Sequence, residues 1–359
     1  MKKSWIVALI MCFAFSMVLA ACGSAGDDSG NNANNDQAED AGEATGEDTD
    51  GKTYKLNFST ASVPGDVHTE GLYTFKEKIE ELTDGQIEVE IHHSGSLFTQ
   101  ENERKALQRG DLEMAYTDPW SITEFMPEMS MFTAGYIFND HEHMLNVLNG
   151  EIGEELFDKV ADETGIRPLG AYFKGNRQLN YRDVGKEIRT PEDLEGVILR
   201  MPNAESWLFL GEAMGAKPTP LDYGELYTAL NTGTVDAHDN PLVSVESAKF
   251  YEVTDYITLT DHVVDNVWPS INEELWQEMG PDLQEKLIQA IDEAGEQVTQ
   301  MSVESREELI QFFKDEGLTV IEADKEAFKT RVLDAYLNNE EMTKDWDMDL
   351  YERVQAAGE

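Results

Sequence analysis

Cysteine is almost missing from this chain of 359 residues: Cys12 and Cys22 are the only two, and both fall in the first thirty positions. Everything after them lacks a thiol. That excludes disulfides within the body and structural zinc held by thiolates. Positive charge is scarce as well, with 27 Lys and Arg against 72 Asp and Glu and a formal charge of −45. Nucleic-acid binding needs a basic surface, and docking on anionic lipid needs a basic patch, so neither class fits. Three catalytic signatures are also missing: the GxSxG nucleophile elbow, the GxGxxG dinucleotide loop and the phosphate-binding P-loop. His141-Glu142-His143 is not HExxH, because Leu145 stands where the second histidine belongs, and it reads as a solvated helix start after Asn139-Asp140. With no nucleophile or metal constellation in view, no enzymatic activity, cofactor or metal is expected.

What is present suggests a large, well-packed molecule. The length fits about two domains. Hydrophobic residues make up 40% of the chain, with 15 Phe, 12 Tyr and 6 Trp, enough to bury a sizeable core. The acidic excess favours solubility and self-repulsion. It suits either a saline environment that screens it or an ordinary acidic extracellular protein.

The first residues read as an address. Lys2 and Lys3 precede an apolar run at 5–19, too short and wrongly flanked for a stable membrane span. It ends in Leu19-Ala20-Ala21-Cys22. Small residues before a cysteine resemble the lipobox of bacterial lipoproteins, which implies cleavage after residue 21 and acylation of Cys22. Residues 23–51 hold nine acids, no base, no aromatic and no large aliphatic side chain. Such a segment cannot bury enough apolar surface to fold, so 22–51 is expected to be a flexible acidic tether.

From Lys52 onward the chain alternates two periods. Strand-like alternation appears at 54–59, 86–92 and 112–116, and helical spacing at 68–82, where Leu72, Phe75, Ile79 and Leu82 share a face. Further helices are expected at 99–109, 144–160, 205–214, 223–231 and 325–337. Thr190 reads as an N-cap with Pro191 at the first helical position. Residues 281–316 form one long helical pattern, and 318–321 a strand. This βαβα rhythm predicts an α/β fold with mainly parallel strands.

Charge breaks its own rule in one place. Between Gly170 and Arg200 there are six basic residues against five acids, in a chain that is otherwise strongly negative. A protein that captures an anion must concentrate positive charge where the anion sits. Two parallel guanidinium N–H donors match a carboxylate well. Arginines that merely offset nearby surface acids are the plainer alternative.

Several stretches in and around this region carry a resemblance. They are GNRQ at 175–178, DLEGVILRMPN at 193–203, GAKPTPLDYGELYTAL at 215–230, GTVDAHDNP at 233–241 and AKFYEV at 248–253. LQRGDLEM at 107–114 and EMGPDLQ at 278–284 also fit. In this order they resemble the DctP-type solute-binding subunit of TRAP (tripartite ATP-independent periplasmic) transporters, over roughly 52–335.

The resemblance implies a two-lobe periplasmic-binding-protein-like α/β fold, with a ligand cleft between the lobes and a long bracing helix. The first lobe would comprise 52–174 plus about 263–302, and the second 175–262 plus about 303–359. Arg200, in Leu199-Arg200-Met201-Pro202, would pair with the ligand carboxylate. Arg177 would assist, Asn240 would fix the other edge of the carboxylate, and Tyr223 would pack on the ligand. Asn203 and Asp118 join the candidate ligand-binding set. His238 would either touch the ligand or support Asn240. Trp120, Phe173, Trp207 and Trp268 are candidates to line the cleft, with core packing favoured for Trp207. Sialate-binding members carry Asn, Asp and Arg where this chain has Ala61, Gln100 and Ser121, which speaks against a sialate.

The implied function is that of an extracytoplasmic receptor for a small organic acid, such as a C4-dicarboxylate or related carboxylate, delivered to a sodium-driven TRAP membrane permease. A sugar acid, an aromatic acid or a sensory role are the alternatives. The expected place is the outer face of the bacterial cytoplasmic membrane, lipid-anchored through Cys22, or facing the periplasm in a Gram-negative cell.

Overall fold

The computed structural model describes residues 51–358. The expected export signal, Cys22 and nearly all of the expected tether lie outside the described residues. Among those described, no helix is long and apolar enough to cross a membrane.

Eleven strands are present: β1 (Tyr54–Ser59), β2 (Ile87–His92), β3 (Met114–Thr117), β4 (Ile166–Pro168), β5 (Tyr172–Tyr181), β6 (Ile198–Met201), β7 (Lys217–Pro220), β8 (Ala237–Pro241), β9 (Tyr256–Leu259), β10 (Val264–Asn272) and β11 (Thr319–Glu322). The main path runs β2-β1-β3-β10-β5-β8-β6-β7. It contains two parallel patches. In the first lobe β1 pairs in parallel with β2 and β3. In the second, β6 pairs in parallel with β7 and β8.

Two long strands join the patches. The start of β5 pairs with β10, and its remainder, Arg177 to Tyr181, pairs with β8 and partly β9. In the same way β10 meets β5 with its first residues and β3 and β4 with its last. One strand leaves the first lobe and the other returns, so they are antiparallel. The expectation of mainly parallel strands therefore holds within each patch and fails where the chain crosses. The β5–β10 register shifts between Asp265 and Asn266, in the middle of the crossing.

The long helix braces both lobes. It runs Glu273–Asp315, but Gly280 at φ 74°, ψ 167° breaks it, and Pro281 opens the longer segment. That is where the sequence places its start, because proline's fixed φ suits a first helical turn. The segment is about 50 Å long at 1.5 Å per residue. Near its start Leu283, Leu287, Ile291, Ala294 and Val298 pack with Leu56, Phe58, Leu72, Phe75 and Ile79 of the first lobe. Gly71 allows this: a Cβ there would stand 2.4 Å from Val298 Cγ2. Near the other end Phe313 is buried with Leu230, Phe250 and Ile257 of the second lobe.

Three local expectations change. The helix expected over 144–160 is two helices, His141–Leu148 and Glu151–Thr164. The Asn149 carboxamide exchanges two hydrogen bonds with the backbone of Ala171 (2.7 and 3.0 Å) and draws the chain out of the helix there. Residues 223–231 divide into a 3-10 turn, Tyr223–Glu225, and a helix, Leu226–Thr232. Finally, His143 is not solvated. It is buried, and its Nε2 lies 2.7 Å from the carbonyl oxygen of Val354.

That contact bears on the C-terminal end. Helix Lys325–Leu337 meets helix Glu205–Met214 of the second lobe, with the Phe209 and Tyr336 rings 4.8 Å apart. The last helix, Met348–Ala356, instead bonds back to Ile137, His143 and Glu155. These residues belong to the segment assigned to the first lobe.

Candidate functional site

The crossing strands form the floor of a cleft. Lys174 on β5 and Asp265, Asn266 and Val267 on β10 lie at its base. The first lobe contributes Thr60, Ala61, Ser62, His68, Gln100, Glu103, Arg104, Tyr116, Asp118, Trp120 and Ser121. The second contributes Arg177, Arg200, Pro202, Tyr223 and Asn240. The enclosed space is small, ≈ 60 Å³. A larger groove, ≈ 570 Å³, runs along the long helix. Its charged lining is Asp292, Glu296 and Glu304, with no Lys or Arg, so it repels an anion where the cleft attracts one.

Arg200 sits on β6, inside the second lobe's parallel patch. Leu199 and Met201 on either side are fully buried in the core, and the alternation of a strand turns Arg200 to the other face. Its Nε donates to the Leu221 carbonyl at 2.8 Å. Among the described residues no carboxylate pairs with it, and its two Nη nitrogens donate to nothing. Burial lowers its pKa to about 10, with Asp239 opposing, so it stays charged at neutral pH. A buried cation with two free donor nitrogens on a cleft wall is built for an anionic guest.

Arg177 is different. Its Nε donates to Asp239 Oδ2 (2.8 Å) and its Nη1 to Asp265 Oδ2 (2.9 Å). Nη2 reaches the Asp239 carbonyl (2.5 Å) and Asn240 Oδ1 (3.3 Å). The guanidinium also lies over the Trp207 ring at 4.5 Å, which places Trp207 in the core as expected. Burial pulls the Arg177 pKa down, but Asp239 and Asp265 raise it by more. Asp239 is held low in turn, because Arg177 and His262 outweigh its burial.

Asn240 is oriented from both sides, by Arg177 and by His238. The His238 Nδ1 lies 2.9 Å from Asn240 Nδ2, and its Nε2 lies 2.7 Å from Asn180 Oδ1. Since an amide nitrogen donates and an amide oxygen accepts, this network assigns the proton to Nε2 of a neutral ring. His238 is fully buried and stands behind Asn240, away from the cleft lining. Tyr223 lines the cleft, with its ring edge-on to Phe250 at 5.7 Å. Asn203 is not brought to the cleft: β6 ends at Met201, Pro202 turns the chain, and Asn203 is exposed on a neighbouring depression with Glu101 and Lys105. Of the four aromatic candidates Trp120, Phe173, Trp207 and Trp268, Trp120 alone lines the cleft, beside Tyr116. Trp268 is fully buried against Phe157, and Phe173 stacks on His141 outside.

Asp118 lines the cleft and caps the short helix Pro119–Ile122, accepting from the Ser121 amide at 3.0 Å. Burial lifts its pKa to about 7, with Asp265 adding to the rise. Glu103 was not anticipated. It is 4% exposed, its Oε1 accepts from Ser59 Oγ (2.9 Å), and no cation pairs with it among the described residues. Burial raises its pKa to about 8. The signal for it was available: Glu103 shares the buried face of helix Gln100–Gln108 with Ala106 and Leu107, and an acid on an apolar face calls for a reason. His68 was missed as well, and Lys174 was anticipated only as one of the six basic residues of 170–200.

Two hydrogen bonds on Asp66 join the lobes beside the cleft. Asp66, at the start of helix Val67–Leu82, accepts from Ser244 Oγ (2.9 Å) and Ser247 Oγ (3.2 Å) on helix Leu242–Ser247 of the second lobe. His68 Nδ1 lies 2.6 Å from the other Asp66 oxygen.

Comparisons with known proteins identify the family and the fold. The chain is 32% identical to a solute-binding protein of Roseobacter denitrificans over 265 residues, 74% of this chain and 80% of that one. A crystal structure of a TRAP periplasmic solute-binding protein from the same organism, with bound 3-deoxy-D-manno-oct-2-ulosonic acid, superposes with a TM-score of 0.81. It is 35% identical, covering 86% of this chain and 100% of that one. A counterpart from Sulfurospirillum deleyianum with bound succinate gives 0.78 at 28% identity, over 85% and 99%. Residues 58–342 match the model for bacterial extracellular solute-binding protein, family 7, and the chain belongs to that DctP family of TRAP solute-binding proteins.

Proposed function

We propose that this protein is an extracytoplasmic receptor that closes two lobes on a small organic acid and hands it to a sodium-driven TRAP permease. The observation that carries the reading is Arg200: buried, charged, held by one carbonyl, and with both Nη nitrogens free on the cleft wall. Asn240 and Tyr223 flank the carboxylate position. Arg177 acts one step back by fixing Asn240 and the crossing strands. The work is capture and release rather than turnover. Closure excludes water, and lower local polarity strengthens the ion pair.

A C4-dicarboxylate and a sugar acid both satisfy the anchor, as the succinate and octulosonate in the two solved relatives illustrate. Ala61, Gln100 and Ser121 lie on the cleft wall at the positions where sialate-binding members carry Asn, Asp and Arg, which disfavours a sialate. The N-terminal address and Cys22 suit a lipid anchor outside the cytoplasmic membrane, with the acidic tether spacing the receptor from the permease. Calorimetry of the mature protein against dicarboxylates, keto acids, aromatic acids and sugar acids is the direct test. Saturable binding of at least one acid, lost in Arg200→Ala, is the expected result. No heat from any of them sinks the reading.

A further inference from the structure

The C-terminal helices border a second cavity, ≈ 400 Å³, that shares no residue with the ligand cleft. One wall is helix Lys325–Leu337, whose Lys329, Leu333, Tyr336 and Leu337 recur at helical spacing and share a face. The segment 134–139 and the last helix, through Met348 and Tyr351, supply the rest. The rings of Tyr336, Trp346 and Tyr351 stand in a row, with successive centroids 5.4 and 6.1 Å apart. Apolar surface also reaches solvent here: Leu337 is 72% exposed and Met348 50%.

The wall at 134–139 is held in a strained form. Tyr136 sits at φ 62°, a left-handed conformation that persists in a non-glycine residue only where its surroundings impose it. Its amide donates to the His262 carbonyl (2.9 Å) and its hydroxyl to the Thr260 carbonyl (3.2 Å), and so pinned it lines the cavity. Gly135 beside it lets the segment press on two helices, since a Cβ there would stand 2.9 Å from Leu210 Cδ1 and 3.0 Å from Val332 Cγ1.

Two polar side chains of the lining are already answered: Trp346 Nε1 donates to Ser130 Oγ (3.1 Å) and Gln355 Nε2 to the Ile137 carbonyl (2.9 Å). Tyr336 is the exception. It is 3% exposed, and its hydroxyl has no hydrogen-bond partner among the described residues. A buried hydroxyl left unpaired is costly, and a guest that accepts its proton relieves the cost. The lining holds Lys329 and no acid, in a chain with 72 acids, so it gives a cationic guest no counter-charge. The volume falls within the roughly 300–1,000 Å³ of small-molecule sites, which are mainly apolar with a few placed polar groups.

We infer that this cavity is a second binding site, for a planar aromatic molecule that bears an acceptor oxygen. The guest's rings lie against Trp346 and its neighbours, and the Tyr336 hydroxyl donates to its oxygen. Such a guest differs in class from the hydrophilic acids of the cleft, and the site does not rest on the receptor reading.

The experiment is a ligand-observed NMR titration of the mature protein with 1-indanone and with indane. The two bicyclic probes differ only in a carbonyl, and both lack the carboxylate that Arg200 requires. Both should bind saturably, 1-indanone about fivefold more tightly, the scale of one neutral hydrogen bond. Tyr336→Phe keeps the ring and deletes the hydroxyl, so it should weaken 1-indanone about fivefold and leave indane unchanged. Trp346→Ala should weaken both probes together, by about tenfold, through lost ring contact. Thermal melts check that each variant folds, and Tyr336→Phe alone decides the matter if Trp346→Ala does not. A difference between the probes that vanishes in Tyr336→Phe supports the site. No saturable binding of 1-indanone, or a ratio of the two affinities that Tyr336→Phe leaves unmoved, overturns it.

Discussion

Arg177 on β5 and Arg200 on β6 flank β8 in the same lobe, both are buried, and they do opposite jobs. Arg177 is enclosed by two aspartates, a backbone carbonyl, an amide and an indole ring. Arg200 has one carbonyl and open Nη nitrogens. The first guanidinium is already answered by the protein and ties β5, β8 and β10 together. The second waits for a charge from outside. Whether a buried arginine is structural or functional is therefore decided by its partners and not by its burial.

The sharpest way to break this comparison is to remove each guanidinium and see which property fails. Arg177→Ala leaves Asp239 and Asp265 as buried charges without their partner, a situation that costs about 3–5 kcal/mol. Urea unfolding of the unliganded protein should show that loss. A change under about 1 kcal/mol would mean that Arg177 is not the keystone of the crossing. Arg200→Ala should do the reverse. Carboxylate affinity should fall by about a hundredfold or more, because truncating one side of a buried charged pair typically costs 2–5 kcal/mol. Stability without ligand should hold or rise, since an uncompensated buried cation is gone. Near-native affinity in calorimetry would return the anchor role to Arg177.

That contrast was only half visible beforehand. Both arginines stand in motifs that could be quoted from the chain, but their division of labour depends on Asp239, 62 positions from Arg177, and Asp265, 88 positions away. Asp265 was one acid among 72. Local periodicity made β1, β2, helix Val67–Leu82 and the Pro281 helix start legible, because alternation and capping are short-range signals. The break at 149–150 was hidden, since Asn149 answers to Ala171 across the fold. Asn203 followed the motif by adjacency, and a single turn at Pro202 put it outside. The expected export signal and Cys22 lie outside the described residues.

The comparison also predicts a pH dependence. Burial draws the His238 pKa down to about 3; Asp239 opposes this and both arginines assist it. An unfolded histidine titrates near 6.5. The unfolded state therefore binds the proton first as pH falls. Stability from neutral His238 is complete above about pH 6.5 and declines toward pH 3, by up to about 1.4 kcal/mol per unit. Between pH 6.5 and 5 this amounts to at most about 2 kcal/mol. His238→Gln should flatten the curve of urea midpoint against pH over that window. An equal slope in both proteins would show that another group carries the acid sensitivity.

The smallest expected effect lies beside the cleft, where the two lobes meet through Asp66. Its carboxylate, although at a helix start, makes no bond to that helix's own backbone and instead accepts from Ser244 and Ser247 across the gap. His68 beside it holds the carboxyl ionised. Each hydroxyl bond to a charged acceptor contributes to the closed arrangement and nothing to an open one, so its removal shifts the population of closed receptor. Ser244→Ala with Ser247→Ala should weaken ligand binding several-fold, on the scale of about 1 kcal/mol for the net contribution of a hydrogen bond. The change should appear in the release rate, since association begins from the open form. Arg200→Ala removes the reason to close, whereas this pair removes the means. Stopped-flow release separates them: faster release with the same preference order among acids is expected. An unchanged rate would leave Asp66 as no more than a buried, well-hydrogen-bonded residue.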